Sequence, residues 1–209
     1  MRDDHCHIIW GVDDGSPDWQ TTCEMIEGAR ACGFTEVICT PHMRWADFDR
    51  GKVERHFRKL AAYAPDIRWT LGYEVYYERL LKIGLEHAPE YTIGKSSTIL
   101  LEFNSGASVP HDWERTFYKL QSTYGLDIIL AHPERYRTVL SDFDIAYRIR
   151  ECGVMMQVSA GDLLGGPFNK CARVAKRLVR EGLADSIVTD AHVPHDYEDF
   201  RKATLKISR

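Results

Sequence analysis

The sequence predicts a parallel α/β fold of the barrel type, and three observations carry that expectation. Near-continuous apolar runs alternate with amphipathic stretches at helical spacing, which argues for a parallel sheet covered by helices. About seven such strand–helix units occupy 209 residues, which this length suits better than the usual (β/α)8 barrel of ~250 residues. Histidines and acids recur at or just after the C-terminal ends of the expected strands, the face on which a parallel barrel builds its active site. An open doubly wound sheet is the alternative that the same alternation allows.

The elements follow in order. His5 and His7 read as one face of a strand within the stretch Asp3–Gly15, and Asp13-Asp14-Gly15 as the turn after it. Ser16-Pro17-Asp18 is a helix start, with Ser16 as the cap and Pro17 at the first helical position. Trp19, Cys23, Ile26 and Ala29 then fall at helical spacing, and Gly33 ends the run. Thr35–Thr40 is a strand closed by Pro41-His42, residues 52–63 form a helix, and Ile67–Tyr73 is the next strand. The stretch from Val75 to Gly94 resists assignment. Thr98–Phe103 is a strand with an acid near its end, and Trp113, Phe117, Leu120 and Tyr124 mark one helix face. Leu126–Ala131 is a buried strand ending in His132-Pro133, residues 142–151 are helical, and Val154–Val158 is a strand. Asn169–Glu181 is a helix with Ala172, Ala175 and Val179 inward, and Ser186–Thr189 is the last strand, ending in Asp190-Ala191-His192.

Composition narrows the function classes. A hydrophobic content of 44% supports a proper core, and the length suits one domain over residues 1–209. The net charge of −4 argues against a general nucleic-acid binder, which shows a basic balance. No run of eighteen apolar residues occurs, so membrane insertion is not expected. The start carries two acids and no apolar segment of the secretory type, and the six cysteines form no CxxC, so a cytoplasmic protein with reduced, mostly buried thiols is expected.

The chemistry starts at His5-Cys6-His7. On a strand, residues two apart share a face, so both imidazoles can grip one ion. A carboxylate from the turn at Asp14 joins them, and imidazole with carboxylate suits Zn, Mn or Fe rather than Ca. His42, Glu74, Glu102, His132, Asp190 and His192 stand at the other strand ends. Five imidazoles and four carboxylates on one face would repel and desolvate badly without cations between them, and two or three metal ions are the simplest remedy. His56, His87 and His111 lie in helical or irregular polar surroundings and read as surface histidines, while His195 reads as part of a solvated loop. Tyr73, Tyr76 and Tyr77 read as packing residues.

HxH at the start, Asp14 in DDG, His42 in TPH, Glu74 in GYEVYY, Glu102 in LLEF, His132 in AHPERY, QVSAGDLLGG, and Asp190 and His192 in TDAH together resemble the polymerase and histidinol phosphatase superfamily. Within it the chain is similar to the bacterial tyrosine-protein phosphatases of capsule and exopolysaccharide operons, from Asp3 to about Val193. The resemblance implies a distorted seven-stranded, TIM-like (β/α)7 barrel. It also implies a cluster of two or three ions, usually manganese with Fe, Zn or Mg as alternatives, held by His5, His7, Asp14, His42, Glu74, Glu102, His132, Asp190 and His192. The implied substrate is phosphotyrosine in the tail of a membrane-associated tyrosine kinase that regulates polysaccharide synthesis and export. Relatives carry an Arg shortly after the final Asp-x-His and a longer C-terminal region; here the nearest is Arg201, and a last helix is expected to be absent or short.

Arg135 is placed to give a bidentate bond to a phosphoryl oxygen, with Arg44 and Arg201 as further substrate-binding candidates; pairing of Arg135 with Glu134 or Asp142 is the structural alternative. Arg44-Trp45 can border a phenol pocket. No Cys-x5-Arg phosphate loop is present, which disfavours a cysteine mechanism. A small-molecule phosphoesterase of the histidinol-phosphate type and an inactive binding module of an export complex remain the competing readings.

Overall fold

The apolar runs become parallel strands lying in chain order in the computed structural model, which describes residues 1–207. They are β1 (Arg2–Cys6), β2 (Glu36–Cys39) resuming as β3 (His42–Met43), β4 (Arg68–Leu71) resuming as β5 (Glu74–Tyr76), β6 (Thr98–Glu102), β7 (Asp127–Ala131), β8 (Met155–Ser159) and β9 (Ser186–Val188). Their pairing gives a three-stranded sheet β1-β2-β4 and a six-stranded sheet β3-β5-β6-β7-β8-β9. The expected strands Thr35–Thr40 and Ile67–Tyr73 thus appear as β2 and β4, and after a short break each chain path resumes pairing in a second strand, β3 or β5, that lies beyond the expected end. Pro41 has no N–H to give the ladder. At Gly72 the chain runs against Ile93, where a Cβ would stand 3.0 Å from its Cγ1. Hydrogen bonds carry the pairing across both breaks, from Gly72 N–H to Cys39 O (2.8 Å) and from Glu74 N–H to Pro41 O (3.1 Å).

The last strand returns to the first. Asp190 N–H donates to His5 O (3.0 Å) and His7 N–H to Ala191 O (2.8 Å). Thr189 Oγ1 donates to the buried Asp3 Oδ2 (2.6 Å). Sequential strand order with this closure describes a distorted barrel. It excludes the open doubly wound alternative, in which strand order reverses at a switch point.

The helices are α1 (Trp19–Ala31), α2 (Arg50–Tyr63), α3 (Tyr77–Ile83), α4 (Trp113–Tyr124), α5 (Arg137–Ser141), α6 (Asp144–Glu151), α7 (Ala160–Leu163), α8 (Lys170–Arg180) and α9 (His195–Ile207). Asp18, not Ser16, caps α1: its side chain accepts from Thr21 N–H. Ser16 is instead drawn beneath β1, its N–H on His7 O and its hydroxyl against Thr22 and Asp18 O. In α8 the inward positions are Ala172, Ala175 and Leu178, three apart, with Val179 turned half outward. The unassigned stretch after Val75 holds α3 and a 3-10 turn over Leu85–Tyr91. A last helix is present: α9 docks against α1, where Tyr197 lies fully buried over Gly28 and Cys32 Sγ donates to Tyr197 O (3.2 Å).

Between strands and helices lies one continuous apolar layer that includes Ile8, Ile9, Ile26, Val37, Leu101, Ile128, Met156 and Val158. All six cysteines are free. A Cβ at Gly28 would stand 2.7 Å from the Tyr197 ring. We predict that Gly28→Val lowers stability by about 1–3 kcal/mol, the usual cost of overpacking a core. The midpoint of urea unfolding reads that change directly.

Candidate metal centre

The strand ends deliver nine ligand-type side chains to one place, and all nine positions expected from the sequence are brought together. His5 and His7 leave β1 on the same side, with their Nε2 atoms 3.1 Å apart. Asp190 Oδ1 lies 3.4 Å from His5 Nε2 and 3.5 Å from His7 Nε2. Glu74 Oε2 lies 2.9 Å from His42 Nδ1, 3.3 Å from His7 Nε2 and 3.4 Å from His5 Nε2. Glu102 Oε1 is 3.2 Å from His42 Nδ1, and His132 Nε2 bonds Glu74 Oε1 at 2.7 Å. Asp14 is the exposed member, 3.3 Å from His42 Nε2 and 3.8 Å from His192 Nε2. The His192 ring stacks on that of His7 at 4.0 Å.

Three overlapping sets of possible ligands result: His7, Asp14, His42 and His192; His5, His7 and Asp190; His42, Glu74 and Glu102. Within each set the ligand atoms lie within 4.8 Å of one another. Two donors each about 2.1 Å from a common ion stand about 3.0–3.4 Å apart, close to the spacing found. Hydrogen bonding within the protein does not satisfy the cluster. His42 Nδ1, Glu74 Oε2, Glu102 Oε1 and Asp190 Oδ1 are buried without a hydrogen-bond partner, and each orphaned group would cost about 1–3 kcal/mol. Converging, partnerless donors of mixed N and O type fit transition-metal ions.

Charge tells the same story. Burial would raise Glu74 and Asp190, yet the surrounding imidazoles hold both well below the usual carboxylate range. Burial and the neighbouring His7 would lower His42, but Glu74 and Glu102 prevail and lift it to about 9. The carboxylates thus demand positive charge at this spot, from protons or from metal.

The backbone is shaped around the same atoms. His132 (φ 33°) and Asp190 (φ 50°) are the non-glycine residues with positive φ among those described, and each directly follows the β7 or β9 region. Left-handed backbone at such residues costs on the order of 1–3 kcal/mol and gathers at functional sites. Gly15 passes directly under His7, where a Cβ would stand 2.2 Å from the His7 carbonyl oxygen.

Sequence reading missed Asp13, although it stands in the same DDG triplet as Asp14. Its buried carboxylate accepts from His7 Nδ1 (2.8 Å), His42 N–H (3.0 Å) and Gly15 N–H (3.0 Å). Nδ1 is thereby the protonated nitrogen of His7, and Nε2 is left free to bind metal. Asp162 and Ser159 were missed as well. Arg135 spends Nε on Asp162 (2.7 Å), Nη1 on Asp190 Oδ2 (2.7 Å) and Nη2 on Ser159 (2.9 Å), rather than pairing with Glu134 or Asp142. Of its five N–H donors, two remain for a substrate.

The other candidates are placed differently. Arg44 stands at the rim, its Nε 3.8 Å from Glu102 Oε1 and its guanidinium 4.7 Å above the Tyr76 ring. Arg201 is exposed on α9, where its charge is felt by Cys32 at the C-terminal end of α1, the opposite end of the barrel; it is not brought to the cluster. His195 opens α9 and faces Glu198 and Asp199. His56 is not a surface histidine: it stacks on Trp10 at 4.1 Å and bonds its carbonyl.

Over residues 1–206 the sequence matches the family described as "Capsular polysaccharide synthesis, CpsB/CapC". The chain belongs to the CpsB/CapC family. Tyrosine-protein phosphatase YwqE of Bacillus subtilis strain 168 is 28% identical over 198 residues, covering 92% of this chain and 77% of its own. A chain from the crystal structures of YwqE from Bacillus subtilis and CpsB from Streptococcus pneumoniae, described as unique metal-dependent tyrosine phosphatases, matches with TM-score 0.83 at 26% identity. It covers 99% of this chain and 87% of that one. A histidinol phosphatase-like structure from Listeria monocytogenes, 13% identical with TM-score 0.54 over 94% and 97% of the two chains, shares the fold alone. CpsB/CapC relatives are thus tyrosine-protein phosphatases, and the structure of this member matches metal-dependent ones.

Two outcomes follow for this CpsB/CapC chain. Asp13→Ala should weaken metal affinity about 10–100-fold, the usual cost of losing a ligand's hydrogen-bond partner, as read by chelator competition. Because His42 titrates near 9 in the metal-free side-chain set, metal uptake at neutral pH should release protons and weaken as pH falls. Calorimetry in buffers of different ionisation enthalpy measures the release; uptake without it would contradict the assignment.

Proposed function

We propose that this chain is a metal-dependent protein-tyrosine phosphatase. Its proposed substrate is phosphotyrosine in the tail of a membrane-associated tyrosine kinase that regulates capsular or exopolysaccharide synthesis and export. Manganese is its proposed metal. The observation that carries the reading is the convergence of three ligand sets on one barrel face, in a member of a family whose relatives are tyrosine phosphatases. The described residues contain no helix long and apolar enough to cross a membrane, so contact with such a kinase would run through a part of it that reaches this protein.

The nine residues brought together would hold the ions: His5, His7, Asp14, His42, Glu74, Glu102, His132, Asp190 and His192. Bound ions of this class neutralise a phosphate dianion and lower the pKa of water toward neutrality. Everything else is the work of side chains. Asp13 keeps the His7 lone pair aimed inward. Arg135 offers its two unspent N–H groups to phosphoryl oxygens, and Arg44 adds positive charge at the rim. A cleft of ≈ 660 Å³ borders the cluster at Asp13 and Asp14 and carries Trp45, Phe48 and Val12 on its walls, room enough for an aromatic ring beyond the phosphate. Phenol is a comparatively good leaving group, so strong general-acid help is less essential. Four of the thiols are poor nucleophiles here: burial pushes Cys32 up to about 11, and Cys6, Cys152 and Cys171 are raised as well.

Protein purified without chelator should contain more than one transition-metal ion per chain by elemental analysis. With manganese it should hydrolyse a phosphotyrosine peptide in preference to a phosphoserine peptide and histidinol phosphate; preference for histidinol phosphate would favour the small-molecule reading. Arg135→Ala should lower kcat by ~10²-fold or more, the scale of losing one oxyanion-type donor. Arg135→Lys should recover little, because it keeps the charge and loses the planar fork. His132→Ala should lose metal together with activity.

A further inference from the structure

We infer that Asp162 is a positioning residue of this centre, setting Arg135 and, through Arg135, the oxygen that Asp190 presents to metal. The inference rests on the reading of Asp190 as a ligand and extends it to a residue outside the nine. Asp162 lies on α7, the single turn of helix that follows β8, three residues beyond Ser159. Its Oδ2 takes the Nε–H of Arg135 at 2.7 Å. The far edge of the same guanidinium reaches Asp190 Oδ2 (2.7 Å, from Nη1) and Ser159 Oγ (2.9 Å, from Nη2). Ser159 Oγ in turn donates to Asp190 Oδ2 at 3.2 Å.

This arrangement divides the Asp190 carboxylate. Oδ2 is taken up by Arg135 and Ser159, while Oδ1 is buried, has no hydrogen-bond partner and faces His5 and His7 Nε2. A carboxylate gripped on one oxygen offers the other in a fixed direction. The grip is only as firm as the arginine, and burial holds Arg135 only in part: its side chain is 34% exposed. A partly exposed arginine has rotamer freedom to lose when it is fixed in one direction. Asp162 anchors its Nε edge and so holds it in the plane that meets Asp190 and Ser159. The same anchoring fixes the direction of the two remaining N–H donors. Asp162 itself belongs to none of the three ligand sets, so its influence runs through Arg135.

The test compares wild type, Asp162→Ala and Asp162→Asn. Manganese affinity is measured by titrating manganese(II) into metal-free protein, KM and kcat on a phosphotyrosine peptide at saturating manganese, and Tm on all three. Asp162→Ala should bind manganese about 10-fold more weakly, at the lower end of what loss of a ligand's support costs, and should raise KM with Tm little changed. Asp162→Asn should restore most of both, because its carboxamide oxygen still accepts from Nε. Asp162→Leu, close in size and unable to accept from Nε, gives a second reading should Asp162→Ala fail to fold: weaker manganese binding supports the inference, and unchanged binding overturns it. Wild-type manganese affinity and KM in Asp162→Ala would also overturn it, as would a loss in both variants that tracks a fall in Tm. A wild type that takes up no manganese removes the centre itself, and the inference with it; normal uptake with unaffected Asp162 variants removes the inference alone.

Discussion

Everything at the catalytic face depends on a charge imbalance that the protein cannot settle by itself. Glu74, Glu102 and Asp190 are buried together with four imidazoles, and several of their inward-facing atoms lack partners. Buried polar groups in proteins are ordinarily satisfied, and a cluster left this far from satisfaction is one whose missing partners come from outside the chain. The barrel supplies rigidity: parallel strands end on one face, so side chains from distant parts of the sequence meet at ligand distances, and the turn after β1 folds back to add Asp14. Around this core a second ring of groups, Asp13 on His7 and Arg135 with Ser159 on Asp190, takes up the outer polar atoms of those side chains and leaves the inner ones facing the cluster.

The cost of the arrangement is visible in the backbone. His132 and Asp190 sit in left-handed conformations that other residue types avoid, and Gly15 is compressed against His7 so closely that a Cβ has no room. These are the local rules that a sequence breaks where function requires it. The apolar layer outside the strands and the closed hydrogen-bond seam between β9 and β1 compensate for that strain.

Much of this was legible in the sequence, for specific reasons. Apolar runs of four or five residues ending in His or an acid mark strand termini, so the nine cluster residues could be named from position and chemistry together. What was illegible depended on contacts distant in sequence. Asp13 and Asp14 are chemically identical neighbours, and only the path of the turn decides that one supports His7 while the other faces solvent. Asp162 reads as an ordinary helix-start acid until Arg135 is found beside it, twenty-seven residues away in the chain. Ser16-Pro17 carries every sign of a cap, yet the pull of His7 on the Ser16 N–H moved the cap to Asp18. Arg201 looked like the nearest substitute for a late arginine, and the direction of α9 carries it to the far end of the barrel.

The seam between β1 and β9 gives the site a temporal dimension. His5 and His7 precede Asp190 and His192 by more than 180 positions, and the hydrogen bonds that join their two segments span the same distance along the chain. Contacts of such long sequence separation form late, because the entropy of closing the loop must be overcome before they contribute. A nascent chain therefore presents a histidine pair long before it can present a complete binding site, and the full ligand set exists only once the two edges of the barrel have met. An ion bound across that seam ties the two edges together and stabilises the closed barrel by mass action, in proportion to the logarithm of its free concentration. Metal supply would then bear on closure of the barrel as well as on activity.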